Sequence, residues 1–395
     1  MAKGFLETVE RIEADQKKSI GNIVDKKKDG VSMGRLREMS RKSPQYKKKL
    51  KEAARLMNEV MTGSTWAKAK FEEAMTTSDF PLLFGDIIDR QLLAGYEETP
   101  ATWNNYIREG TVPDFRQVSR HYIDGGEGVL DKVGEKEEYA ARSIDEGRYQ
   151  YKVEKYGNRF NFSWSTMIND DLGAFQDIPA KFGRAARRTE ERFATSLFVD
   201  EDGPHSDLYD SDNIVDGNPE LSIEGLQEAF QLINEQTDED GEPIVFPKIH
   251  LVVPPALEVT AQNILNAMQL ELNTNGGNSD SKLITANWVQ NRVTLHVNYY
   301  IPIIAKNGSV GQESWFLFGD PNESRPAAEV GFLRGYRDPQ VFMKAPNAML
   351  IGQTGQADPM LGDFDTDNIQ YKVRHIMGGV AMSKKSTVAS DGSES

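Results

Sequence analysis

Between Asp124 and Gly147 the chain runs through a stretch that no core of its own can absorb. It is polar and glycine-bearing, with Gly125-Gly126-Glu127-Gly128 and Gly134-Glu135-Lys136-Glu137-Glu138, so it is too long for a tight turn and too polar to bury. Fixing the backbone of one residue costs roughly 1–2 kcal/mol. An excursion with so little apolar surface to offset that cost is expected to gain its order on a surface other than its own. Strand signal follows directly. Tyr149, Tyr151 and Val153 alternate with Gln150, Lys152 and Glu154, and Phe160, Phe162 and Trp164 alternate with Asn161, Ser163 and Ser165. Tyr156-Gly157-Asn158-Arg159 lies between them with turn chemistry, and the spacing predicts a β-hairpin.

The flanking regions read differently. Residues 1–75 are rich in Lys, Glu, Ala, Met and Arg and contain Pro44 alone among prolines, which predicts helix. Ser43 and Pro44 form a start signal, and Leu50, Ala53, Ala54, Met57, Val60 and Met61 then trace one amphipathic stripe opposite Lys47, Lys48, Lys51 and Arg55. Around Phe80-Pro81-Leu82-Leu83-Phe84 an extended lead-in is expected, followed by a short helix ending near Gly95. After the capping sequence Asn169-Asp170-Asp171, Leu172, Phe175, Ile178, Phe182, Ala185, Ala186, Thr189, Phe193 and Leu197 follow helical spacing to about Val199, with Pro179 expected to kink or restart the helix. From Ser222 onward helices (223–234, 256–272) alternate with strands (248–253, 292–297, 315–318, 328–333). The class is therefore α+β. Residues 369–382 read as a further strand, and the Ser-rich end from Ser386 as a loose tail.

Composition excludes several function classes. The chain has 395 residues, 38% of them hydrophobic and 27% charged, with no apolar run near the ~20 residues of a membrane-spanning helix. The N-terminus has no signal-peptide core, so secretion is not expected. With 0 cysteines there is no disulfide, thiolate metal site or cysteine nucleophile. The net charge of −15 is unevenly spread: residues 1–70 hold 18 Lys and Arg against 9 Asp and Glu, and the remainder hold 28 against 52. A basic arm on an acidic body points to nucleic acid, to the acidic surface of a neighbouring copy, or simply to a solvated helical face.

Catalytic patterns are missing from the sequence. There is neither a Gly-rich phosphate loop ending in Lys-Ser/Thr nor a Gly-x-Ser-x-Gly elbow, and Gly125-Gly126-Glu127-Gly128 is flanked by acidic residues that would repel phosphate. His121, His205, His250, His296 and His375 are scattered, with no pair at metal-ligand spacing, which implies structural roles. Asp363-Phe364-Asp365-Thr366-Asp367 starts like a calcium loop, but Asn368 stands where glycine is needed and Arg374 where the bidentate glutamate should be. The acidic loop with Asp200, Glu201, Asp202, Asp207, Asp210, Asp212 and Asp216 reads as a solvated connection. No cofactor is expected.

This order of elements resembles the Hong Kong 97-type major capsid proteins of tailed bacteriophages. Tyr151-Lys152-Val153-Glu154-Lys155-Tyr156-Gly157 with Phe160-x-Phe162-x-Trp164, then Ile168-Asn169-Asp170-Asp171-Leu172-Gly173-Ala174-Phe175, is similar to the end of that family's E-loop running into its spine helix. Leu251-Val252-Val253-Pro254-Pro255-Ala256-Leu257 resembles an A-domain strand and helix, and Trp315-Phe316-Leu317-Phe318-Gly319-Asp320-Pro321 and 365–374 resemble late A-domain and closing P-domain segments. The resemblance covers about residues 78–385. It implies a helical N-terminal extension (1–77), an N-arm (78–114), an E-loop (115–165), a P-domain with spine helix (166–221), an A-domain (222–335), closing segments (336–385) and a disordered tail (386–395).

It also implies a function: a head protein forming the pentamers and hexamers of an icosahedral shell around double-stranded DNA, assembled in the bacterial host cytoplasm and located in the virion capsid. Its partners would be other copies of itself, a portal, a scaffold, a maturation protease, decoration proteins and packaged DNA, with no membrane. The E-loop would lie across an adjacent subunit, with Arg116, Arg120, Arg142 and Arg148 against acidic patches and Lys132, Lys136, Glu137 and Glu138 near the tip. In some relatives an E-loop lysine forms an isopeptide bond to a neighbour's asparagine, a role open to Lys132 or Lys136. Lys26, Lys27, Lys28, Lys47, Lys48, Lys49 and Lys51 would face the lumen and its DNA. An encapsulin-type compartment shares the fold and remains an alternative, separable by what purified shells contain. A hydrolase using one of the histidines is a further alternative, separable by replacing each histidine in turn.

Overall fold

The computed structural model describes residues 44–61, 80–124, 145–163, 172–238, 240–267, 269–273, 282–290, 292–323, 325–344, 365–366 and 368–393. It divides into two compact units, one drawn from Met1–Pro100, Lys155–Arg188 and Tyr336–His375, the other from Ala101–Glu154, Thr189–Gly335 and Ile376–Ser395.

In the first unit, helix α1 (Pro44–Met61) starts at its proline, whose missing N–H no helix bond needs there. The predicted stripe is real where it is described: Leu50, Ala53 and Ala54 are buried, whereas Lys48, Lys49, Glu52 and Arg55 are exposed. This face meets helix α2 (Phe80–Glu98). The extended lead-in expected over Phe80–Phe84 is corrected: the segment is helical from Phe80, because Pro81 falls in the first turn. Gly95 does not end that helix either. It marks a crossing with α3 (Leu172–Thr195), where a Cβ on Gly95 would lie 2.3 Å from the Ala180 carbonyl oxygen and one on Gly183 would lie 2.1 Å from the Leu92 carbonyl oxygen. Two glycines thus let two helix backbones touch. Beside the crossing the Arg187 guanidinium stacks 3.8 Å from the Tyr96 ring centroid, and Arg184 donates to Glu98 at 2.8 Å. Pro179 removes one backbone donor from α3 without restarting it; the helix is continuous from Leu172.

The strands of this unit gather on β15 (Asn368–Ala381), whose residues to His375 belong here. On one side lies β14 (Gln340–Met343), with Val341 opposite Val373; on the other lies β5 (Arg159–Ser163), with Phe160 opposite Tyr371. The predicted hairpin is corrected. β3 (Asp145–Tyr151) and β5 both exist, but β3 pairs with β2 (Val118–Asp124), while β5 and the short β4 (Glu154–Tyr156) join β15. The turn residues serve a different purpose: a Cβ on Gly157 would lie 2.3 Å from the Val373 carbonyl oxygen, and the Val373 N–H donates to the Asn158 carbonyl at 2.9 Å.

The second unit is built on a sheet in the order β11 (Val293–Val297), β8 (Ile249–Val253), β12 (Trp315–Gly319), β16 (Thr387–Ser390), parallel between β11 and β8 and antiparallel elsewhere. Strand alternation sorts its side chains onto two faces. Leu251, Val253, Trp315, Leu317 and Val388 meet α4 (Ile223–Asn234, capped by Ser222) and α5 (Glu258–Asn266) in one apolar core. On the reverse face Phe316 and Phe318 meet Phe198, each with ring centroids 5.1 Å apart, and Phe318 lies 5.2 Å from Tyr106. Because both faces are covered, β8 and β12 are buried at every residue. This explains their unbroken apolar runs.

The loose tail expected from Ser386 is corrected: β16 is wholly buried, with Thr387 Oγ1 accepting from or donating to Tyr209 Oη at 2.8 Å and Ala389 paired with Phe316. Its small residues suit a covered sheet edge. Smaller elements are the strands β6 (Val199–Asp200) and β7 (Gly203–Pro204), the ribbon β9 (Gln269–Asn273) with β10 (Lys282–Ala286), and helices α6 (Ile301–Ile304) and α7 (Val310–Glu313). Finally, β13 (Ala328–Leu333) runs parallel to β1 (Arg108–Val112) and antiparallel to the later residues of β15.

Candidate assembly interface

A two-stranded ribbon of the second unit flanks residues 125–144. β2 and β3 pair in register from Val118–Tyr151 to Asp124–Asp145, and among the described strands they pair only with each other. Tyr122 and Tyr149 stack at 4.8 Å, and the Tyr122 ring lies over Gly147, where a Cβ would come within 2.0 Å of it. Gln150 donates to Ser119 Oγ at 3.0 Å. A two-stranded ribbon with so little apolar cover is marginal in water on its own.

Its base is held firmly. Val112, Tyr151, Val153, Leu333 and Ile376 form a small apolar cluster with Val118 against it. Within that cluster sits a carboxylate. Glu329, on the otherwise apolar β13, is almost fully buried; its Oε1 accepts from Arg120 Nε at 2.7 Å and from the Tyr151 hydroxyl at 2.5 Å. Arg120 also donates to the Thr111 carbonyl at 3.2 Å. Desolvation works against the Arg120 charge, but the hydrogen bonds and charge attraction from Glu329 and Tyr151 together outweigh it and raise the guanidinium's pKa. Burial, reinforced by Glu329, pushes the Tyr151 phenol well up, so it stays protonated and donates. A buried charge without a partner is costly, and here the partner is the ribbon itself.

Of the predicted interface residues, Arg120 places its guanidinium on Glu329 of its own chain and keeps 32% of its side chain exposed. Arg116 is exposed beside Asp114, with 3.9 Å between charged atoms. Arg148 is exposed and stands opposite the exposed His121 across the ribbon. Lys132, Lys136, Glu137, Glu138 and Arg142 lie outside the described residues, as do Lys26, Lys27, Lys28, the Lys47 side chain, the cap at Asn169 and most of the Asp363–Asp367 segment. Lys48 and Lys49 are exposed on α1 and Lys51 is half-buried there. Glu329 escaped the sequence reading although its signal is plain, a single carboxylate inside Ala328-Glu329-Val330-Gly331-Phe332-Leu333.

A second polar cluster was invisible in the sequence because its members lie far apart along it. His250 Nδ1 and His296 Nε2 are 2.9 Å apart on the neighbouring strands β8 and β11. Burial lowers both, His296 to about 4 with the help of His250, so at neutral pH an uncharged pair shares one hydrogen bond. Among the described residues no three His, Cys, Asp or Glu side chains are grouped to hold a metal ion, and no helix is long and apolar enough to cross a membrane. Nearby, the buried Asn298 donates to the Tyr106 hydroxyl at 3.0 Å and to Thr195 Oγ1 at 2.8 Å, which ties three distant segments together.

Comparison with known proteins gives these features a context. The chain is similar to a virus-like particle from Pyrococcus furiosus at 10% identity and a TM-score of 0.42, over 78% of this chain and 98% of that one. It is similar to the holo-SrpI encapsulin complex of Synechococcus elongatus PCC 7942 at 12% identity and a TM-score of 0.45, over 74% and 88% respectively. It is likewise similar to the structure of Mycobacterium phage Patience at 12% identity and a TM-score of 0.43, over 80% and 90%. No curated protein matches the sequence. The sequence pattern of the family described as phage capsid protein matches residues 148–390, from the second strand of the ribbon to the last strand of the sheet. That span is more than half of the chain, and the chain belongs to the phage capsid protein family.

Proposed function

We propose that the chain is the major shell subunit of a tailed phage, with the Hong Kong 97-type arrangement, and that it acts by ordered self-association rather than catalysis. Copies would form pentamers and hexamers in the bacterial host cytoplasm and close into an icosahedral shell around double-stranded DNA. A closed shell asks one chain to make several non-identical contacts from the same surfaces. One observation carries the proposal: a ribbon fixed at its base by Glu329 that pairs with no other strand of its own chain among those described. Such an arm offers side chains such as Arg116, His121 and Arg148 to an adjacent subunit. Each exposed ion pair contributes only ~0–1 kcal/mol, but the contact recurs at every interface of the shell.

The basic N-terminal region, including Lys48 and Lys49 on α1, is assigned to the lumen and its DNA, with portal, scaffold, maturation protease and decoration proteins as further partners. Electron microscopy and sedimentation of the purified full-length chain test the central part. Closed shells, or rings of five and six, are expected. A monomer at every concentration and salt, alone and with its phage's other head proteins, contradicts it. The DNA assignment predicts that retention by the full chain falls steeply with salt and more gently once Lys47, Lys48, Lys49 and Lys51 are changed to Gln.

A further inference from the structure

We propose that Glu329 is the positioning residue that sets the direction in which the ribbon leaves the subunit, and thereby the curvature of the shell; this rests on the assembly role proposed above. One carboxylate oxygen holds both strands, Arg120 from β2 at 2.7 Å and Tyr151 from β3 at 2.5 Å. The apolar cluster at the base keeps the ribbon attached, but apolar contact has no preferred angle. Charge-assisted hydrogen bonds do, because they weaken steeply as donor and acceptor turn away from each other.

The floor beneath the carboxylate is shaped for it. Gly110 of β1 and Gly331 of β13 are register partners on adjacent strands. A Cβ on Gly110 would lie 2.3 Å from Glu329 Oε1, and one on Gly331 would lie 2.3 Å from the Tyr151 hydroxyl. The paired glycines open a notch, and the carboxylate, phenol and guanidinium fill it. Any side chain at either position would displace one of the three groups and turn the ribbon. Tyr151 carries a second consequence: as the final residue of β3 it transmits the anchor straight into the strand that bears Tyr149 and Arg148.

The chain has 0 cysteines, so a pair introduced as Arg148→Cys on the ribbon and Val259→Cys on α5, both exposed, can carry spin labels without background. In the otherwise native chain, kept unassembled, the label–label distance distribution is expected to be narrow. Glu329→Gln keeps the shape and removes the charge, and Tyr151→Phe removes one hydroxyl; each is expected to widen the distribution about twofold or more while circular dichroism stays unchanged. Shells grown from unlabelled Glu329→Gln protein should spread in diameter where native shells are uniform. Unchanged distributions in both variants, or a widened distribution with shells of native diameter, overturns the proposal. Failure of the native chain to form any shell would count against the assembly role instead, and the label distances would still decide what Glu329 does.

Discussion

The sheet of the second unit and the ribbon that leaves it are both β-structure, yet they solve the problem of burial in opposite ways. β8, β12 and β16 are covered on both faces by their own chain, with Trp315 and Leu317 inward to the helices and Phe316 and Phe318 inward to Phe198 and Tyr106. β2 and β3 have one another, a Tyr122–Tyr149 stack and an anchored base. The first arrangement is complete within one copy. Among the described residues the second is held at its root, and the assembly role proposed above would have neighbouring copies complete the rest.

That contrast predicts a graded series of effects. The largest belong to the self-contained part: Phe198→Ala removes the ring shared by Phe316, Phe318 and Tyr106 and should cost ~3–5 kcal/mol in denaturant unfolding of the unassembled subunit. In the first unit, Gly183→Ala forces a methyl against the Leu92 carbonyl at the helix crossing and should cost ~1–3 kcal/mol in the same assay. Asn298→Ala leaves the buried Tyr106 hydroxyl and Thr195 without their shared donor, for a loss of ~1–3 kcal/mol. At the small end, Tyr149→Ala should cost the unassembled subunit no more than ~1 kcal/mol, because its cross-strand contact is half-solvated, while sharply reducing shell yield. A loss for Tyr149→Ala comparable to that for Phe198→Ala would erase the distinction between the two regions.

The histidine pair sharpens the comparison through pH. Burial holds His296 at about 4, below the ~6.5 of an unfolded chain, so the folded state resists protonation that the unfolded state accepts. Stability therefore declines as pH falls from about 6.5 toward 4 and is unaffected by this group above that window. The fall should be shallower in His296→Gln, measured by unfolding at a series of pH values, and the ribbon should not report it. Equal pH dependence in the two proteins would assign the acid sensitivity elsewhere.

Much of the second unit was legible in the sequence because its signals are local. Leu251-Val252-Val253 and Trp315-Phe316-Leu317-Phe318 announce buried strands and Ser222 announces a helix start, just as in the first unit Leu50, Ala53 and Ala54 announce a face. What depended on pairing between distant segments was not legible. The alternation of Tyr149-Tyr151 and Phe160-Phe162 was correct, but the strands join β2 and β15 rather than each other. Gly95 carried the pattern of a helix end and is a helix crossing; the serine-rich terminus carried the composition of a loose tail and closes a sheet. Arg120 was visible as a cation in the arm, but its partner lies 209 residues away, and no spacing rule points to it.

Amide hydrogen exchange of the unassembled subunit and of the assembled shell, compared segment by segment, bears most directly on the idea that other copies complete the ribbon. Residues 118–124 and 145–151 should gain protection of at least about a hundredfold on assembly, equivalent to ~3 kcal/mol, while the already closed β8 and β12 change little. Equal protection of the ribbon in both states would contradict the account.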